Sequence, residues 1–238
     1  MTDSPLPGLP PLQPVDPTGP DGLETPEFLA SLLADGDDEL AAWVVGRALA
    51  ERGRAEVYDE VVRPAMQLVG DRWKSGEWSI SVEHLASVAL SSALSRLRRP
   101  DDPESRIGPT AVLAAPEHEQ HTAGLVCLAQ VLADDGWQVE NLGANVPAED
   151  LVGFVSGRTV DLVALSIGTA ERLPALQKTL NALRDGSASG QLPIMVGGHG
   201  VVAAEGSIRG ANLVAGSLAE AEAFAKSLPV ALGRTEAG

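Results

Sequence analysis

Apolar residues recur with a helical period from about 26 to 99, and beyond 110 they fall into short runs separated by helical stretches. Thr25-Pro26-Glu27 reads as an N-cap followed by Pro and an acid in the first turn, with Phe28, Leu29, Leu32 and Leu33 as the stripe behind it. Asp37 and Asp38 open a second helix, with Leu40, Trp43, Val44, Ala48 and Leu49 expected inward and an end near Gly53. A third is expected from Ala55 to Trp73, burying Val57, Val61, Met66, Leu68 and Val69; Pro64 must kink it or remove a backbone hydrogen bond. A fourth, from Ser81 to Leu97, is expected to bury Leu85, Val88, Ala89, Ala93 and Leu97. Four helices on short connections make a small bundle over 25–99.

Residues 100–109 read as a linker by their Pro, Asp and Gly content. Beyond them, 110–115, 137–142, 162–166, 194–196 and 213–215 read as short strands alternating with helices over 122–134, 147–155, 173–184 and 218–228. This predicts an α/β unit over 110–228 with a doubly wound parallel sheet of flavodoxin-like type. Ligands of such sheets bind outside the carboxyl ends of the strands. Loops 116–121, 166–172 and 197–200 therefore carry the candidate chemistry. Seven prolines lie within residues 1–22, and 1–24 is expected to be an extended, disordered tail; a docking peptide is the alternative. Residues 229–238 read as a second tail.

Charge narrows the function. Lys plus Arg number 17 against 33 Asp plus Glu, a net charge of −16, and the nearest basic patch is Arg96, Arg98 and Arg99. Direct DNA binding is not expected of such a surface. Cys127 is the single cysteine, which excludes an internal disulfide and fits a reducing compartment. With no apolar run of membrane-spanning length and no basic-then-apolar leader, the expectation is an acidic, soluble, cytoplasmic protein.

The three loops read Pro116-Glu-His-Glu-Gln-His-Thr-Ala-Gly124, Ser166-Ile-Gly168-Thr169 and Gly197-Gly198-His199-Gly200. Taken singly, the histidines also read as solvent-exposed side chains or an adventitious zinc site, and the Gly pair as a turn. Together they suit a planar metal macrocycle laid over the strand ends. That ligand needs one imidazole for its metal, a carboxylate behind the imidazole, and small residues where backbone approaches closely. His121 and Glu119 supply the first two.

This pattern resembles the fingerprint of the cobalamin-binding domain: Asp-x-His-x-x-Gly, then Ser-x-Leu, then Gly-Gly. Here 41 residues separate Gly124 from Ser166, and 28 separate Gly168 from Gly197. The resemblance implies that His121 is the lower axial cobalt ligand and Glu119 its hydrogen-bond partner. It also implies that Thr122, Gly124, Ser166, Gly168, Thr169, Gly197 and Gly198 line the cofactor and its nucleotide tail. The chain departs from the fingerprint with Glu at 119 and with Gly168 in place of Leu.

Upstream, Trp73 followed after nine residues by Glu83-His84 resembles the sensor half of adenosylcobalamin-dependent photoreceptors of the light-responsive repressor type. That resemblance places Trp73, Val82, Glu83 and His84 over the upper cobalamin face, with the bundle as its cap and Trp73 covering the adenosyl group. Read without it, Trp73 is bundle core and Glu83-His84 a capped helix start. Those repressors carry a DNA-reading helix-turn-helix where this chain has its Pro-rich segment, and some have His after the Trp where this chain has Lys74. The implied function is a stand-alone light sensor that binds adenosylcobalamin, is homo-oligomeric (dimer or tetramer), and signals to an unknown protein partner without enzyme activity. A corrinoid methyl carrier for a methyltransferase system is the runner-up, and a cobalamin store or non-photochemical sensor a third reading. Some relatives also hold a linear tetrapyrrole such as biliverdin.

Overall fold

The computed structural model describes residues 24–98, 108–186, 192–202 and 208–229. The Pro-rich segment 1–22, most of the 100–109 linker and the stretch from 230 lie outside them. The chain divides into two compact units, 1–98 and 99–238.

The first unit is helical. Helix α1 (Pro26–Asp35) starts where the Thr25 side chain accepts the Phe28 N–H and stops at Gly36, whose φ of 77° is the left-handed geometry that glycine adopts without penalty. Helix α2 (Asp38–Glu51) is capped by Asp37. Helices α3 (Arg54–Val57) and α4 (Arg63–Lys74) follow, joined through a π-helical stretch, Tyr58–Val62. That wider stretch ends two residues before Pro64, in the first turn of α4, where it takes up the missing N–H and the bulk of the ring. Helix α5 (Ile80–Arg96) is capped by Ser79.

Two expected faces are corrected. In α5, Leu85 and Val88 are 45% and 67% exposed, while Ala86, Ala89, Leu90, Ala93 and Leu94 are buried. In α2, Trp43 is 49% exposed and Leu40 is exposed as well, while Ala41, Ala42, Val44, Val45 and Ala48 face inward. Both helices are apolar around most of their circumference, so period alone does not choose a face. The alanines choose it, because small side chains let α1, α2 and α5 pack closely.

The second unit runs β1 (Thr110–Ala114), α6 (Ala123–Asp134), β2 (Gln138–Asn141), α7 (Ala148–Ser156), β3 (Leu162–Ser166), a 3-10 turn at Ala170–Arg172, α8 (Leu173–Gly186), β4 (Ile194–Gly197), α9 (His199–Val202), β5 (Leu213–Val214) and α10 (Leu218–Ser227). All strand pairs are parallel, in the order β2-β1-β3-β4-β5. Alternate residues of β1, β3 and β4 bury on opposite faces. Leu113, Leu162 and Met195 pack with Leu125, Leu128 and Leu132 of α6; Val112, Val163, Leu165 and Val196 pack with Leu151, Leu176 and Leu180 of α7 and α8. The strand order reverses between β1 and β3, which opens a crevice above their ends. Part of the third expected loop is instead helical, His199–Val202. Among the described residues no helix is long and apolar enough to cross a membrane.

Candidate cofactor site

The loop after β1 turns sharply at Pro116–Glu119, where the Glu119 N–H donates to the Pro116 carbonyl at 3.0 Å. This folds the Glu119 side chain back beneath the loop, where it is 1% exposed. One carboxylate oxygen accepts the His121 N–H at 2.8 Å and lies 2.6 Å from His121 Nδ1; the other accepts the Gly168 N–H at 2.8 Å. Burial pushes the Glu119 carboxyl up, but the two backbone N–H groups and the imidazole outweigh it and hold it below the usual glutamate range. The Glu119 carboxylate is thus placed to accept a hydrogen bond from His121 Nδ1 as well as from the two backbone N–H groups. A neutral ring so held has its lone pair on Nε2. The His121 side chain is 65% exposed, so that lone pair is open to a ligand above the sheet.

Glycine backbone lines the ring and the neighbouring strand ends. A Cβ at Gly168 would lie 2.6 Å from His121 Cγ, so the imidazole packs directly on this peptide. The Gly168 departure from the Ser-x-Leu pattern thus removes a side chain that would crowd the ring. Ser166, at the end of β3, is in register with Gly197 at the end of β4. Its Oγ lies 3.5 Å from where a Gly124 Cβ would be and 2.8 Å from where a Gly198 Cβ would be. Thr122 stands at the start of α6 without a side-chain cap bond, and Thr169 is half-buried and extended. The structure thus brings Glu119, His121, Thr122, Gly124, Ser166, Gly168, Thr169, Gly197 and Gly198 to the carboxyl ends of β1, β3 and β4. His118 shares the loop but not the arrangement: its side chain is 71% exposed and nearest the Glu117 carboxylate.

The remaining expected residues belong to the helical unit. Trp73 lies in the last turn of α4, and Val82, Glu83 and His84 in the first turns of α5, so all four fall at one end of the bundle. Trp73 is 41% exposed, which removes the bundle-core reading. Glu83 accepts from Ser87 at 3.1 Å, and His84 is 73% exposed. Sequence reasoning missed Trp78, which is buried in this connection with Arg72 stacked on its ring at 4.7 Å. It also missed Asn145, which binds the His loop from the β2–α7 connection; its only sequence signal was a Gly143/Asn145 turn composition.

These residues fit a corrin. Among the described residues no three His, Cys, Asp or Glu side chains gather to hold a bare metal ion. One open imidazole nitrogen suits a metal that brings most of its own ligands, and the missing side chain at Gly168 lets the imidazole pack directly on the strand-end backbone.

Two family models match: a B12 binding domain over residues 109–227 and a second over 27–98. The chain belongs to the B12-binding domain family. It is 36% identical over 156 residues to the HTH-type transcriptional repressor CarH of Myxococcus xanthus, a match that covers 65% of this chain and 51% of that one. Over 122 residues it is 36% identical to the repressor CarA of the same organism. The chain thus spans about half the length of these curated relatives. It is 24% identical over 186 residues to dimethylamine corrinoid protein 3 of Methanosarcina acetivorans, covering 77% of this chain and 87% of that one. Its fold matches the Methanosarcina barkeri monomethylamine corrinoid protein with a TM-score of 0.68 at 21% identity, over 85% of this chain and 96% of that one.

One expected outcome tests the carboxylate. Glu119→Gln keeps the volume but turns one acceptor into a donor facing N–H groups. Cobalamin affinity should fall on the order of 10–100-fold. Unchanged binding in a titration would remove Glu119 from the site.

Proposed function

We propose that the protein is an adenosylcobalamin-binding light sensor whose output is a change in protein–protein contact. His121 would hold the cobalt through Nε2, with Glu119 fixing its tautomer, while Ser166, Gly197 and Gly198 would line the nucleotide tail. Bound adenosylcobalamin supplies a cobalt–carbon bond that visible light breaks. Within the helical unit, Trp73 would be the aromatic contact for an adenosyl group, and Glu83 and His84 the polar partners for its ribose or adenine edge. Losing that packing partner biases the helical unit between two states. The observation that carries the reading is Trp73, a large aromatic side chain 41% exposed at the end of the bundle that also holds Glu83 and His84. The 36% identity to the CarH repressor supports it.

A corrinoid methyl carrier is the second reading, favoured by the match to 87% of a dimethylamine corrinoid protein. The two differ in their upper-ligand preference. A sensor built around Trp73 prefers adenosylcobalamin to methylcobalamin, and Trp73→Ala reduces that preference on the order of tenfold while sparing His121 ligation. Size-exclusion chromatography with light scattering, run on each form in the dark and after green light, should show a change of assembly for the adenosyl form alone. Identical behaviour of both forms, with methyl transfer to an added methyltransferase, assigns the carrier role instead. A bilin has no support among the described residues; a red absorption band in the purified protein would reveal one.

With a net charge of −16, duplex DNA binding by this chain should be negligible at physiological salt, dark and lit alike. A specific gel shift would contradict this.

A further inference from the structure

His118 has a φ of 68°, in the left-handed region that a non-glycine residue rarely occupies, and it stands third in the Pro116–Glu119 turn. A turn with positive φ at its third position ordinarily takes Gly or Asn there. Something must hold histidine in this shape. The partner comes from the β2–α7 connection, which runs along β1 through Ala115 N–H to Gly143 carbonyl at 2.8 Å and Val146 N–H to Ala115 carbonyl at 2.9 Å. Between these two bonds stands Asn145, itself at φ 56°. Its Oδ1 accepts the His118 N–H at 2.7 Å, and its own N–H donates to the Glu119 carbonyl at 2.9 Å. Asn145 thus ties down the peptide N–H entering the strained residue and the carbonyl of the residue that follows it. That turn is what sends the Glu119 side chain under the loop to His121.

We infer that Asn145 is a positioning residue for the His121 site, locking His118 in the left-handed turn that aims the Glu119 carboxylate at the His121 ring. The inference rests on the reading of His121 as the cobalt ligand, and its test separates the two. Asn145→Gly keeps a left-handed backbone but removes Oδ1. Asn145→Asp keeps both the acceptor and the tolerance of positive φ. His118→Gly removes the strain that Asn145 opposes, so it rescues the Gly variant if the mechanism is right.

The first readout needs no cofactor: nitrogen-15 NMR of the His121 ring in the full apo chain reports how much of it carries its proton on Nδ1. The second is titration with adenosylcobalamin in the dark. Asn145→Gly should lower the Nδ1–H population and weaken binding on the order of tenfold. Asn145→Asp should match the parent, and His118→Gly with Asn145→Gly should recover most of the loss. Ring signals and affinity unchanged in Asn145→Gly, or a loss that His118→Gly does not restore, overturn the inference. If His121→Ala binds as tightly as the parent while the ring signals follow Asn145, the ligation reading fails and the positioning role stands.

Discussion

His121→Ala should lose histidine ligation of cobalt altogether and bind cobalamin more than about a hundredfold more weakly, beyond the range typical for a ligand's outer partner. The side chain is 65% exposed, so its removal opens no core cavity and thermal stability should barely change. The Glu119 carboxylate keeps its two backbone N–H partners and is not left as an unpaired buried charge. His118→Ala is the control. That ring is 71% exposed, beside the Glu117 carboxylate, and its loss should leave the bound cobalt spectrum nearly unaltered. Absorption spectra of both variants with cobalamin make the comparison; a dispensable His121 beside an essential His118 would reverse the assignment.

Gly198→Ala should damage the fold, whereas Gly168→Ala should damage only the site. At Gly198 the φ is 94°, and a Cβ would run into the Ile167 carbonyl, a backbone atom that cannot turn aside. Left-handed strain of roughly 1–2 kcal/mol and overpacking of about 1–3 kcal/mol together consume a large share of a typical domain's stability. At Gly168 the obstacle is the His121 ring, which is free to swing into solvent. The cost there is the Nδ1–Glu119 contact rather than packing. Thermal melts and cobalamin titrations of both variants should therefore dissociate, Gly198→Ala melting far lower and Gly168→Ala melting normally with cobalamin binding weakened on the order of 10–100-fold. Equal melting temperatures would contradict the backbone clash.

The parallel sheet was legible because each strand is a short apolar run between helix-length segments, and the loops after β1, β3 and β4 follow from the topology. Glu119 and His121 were legible because two residues of separation suffice to fold one side chain under the other. The inward faces of α2 and α5 were not. Leu85, Val88 and Trp43 fit a helical period as well as their buried neighbours do, and only packing against adjacent helices favours the alanines. Pro64 announced a disturbance in its helix, but not that a π-helical stretch would absorb it. Asn145 lies 24 residues beyond His121, and its bonds depend on backbone angles at both ends, which no residue pattern displays. The helical turn at His199–Val202 was hidden by Gly198 just before it and Gly200 within it.

The most direct test of the account is the electron paramagnetic resonance spectrum of cobalt(II) cobalamin bound to protein carrying nitrogen-15 in its histidines alone. The axial nitrogen splits the cobalt lines, as a triplet for nitrogen-14 and a doublet for nitrogen-15. A doublet that disappears in His121→Ala is the result predicted here. A triplet retained in the labelled protein would mean that the cofactor's own base still holds the cobalt, and would contradict ligation by His121.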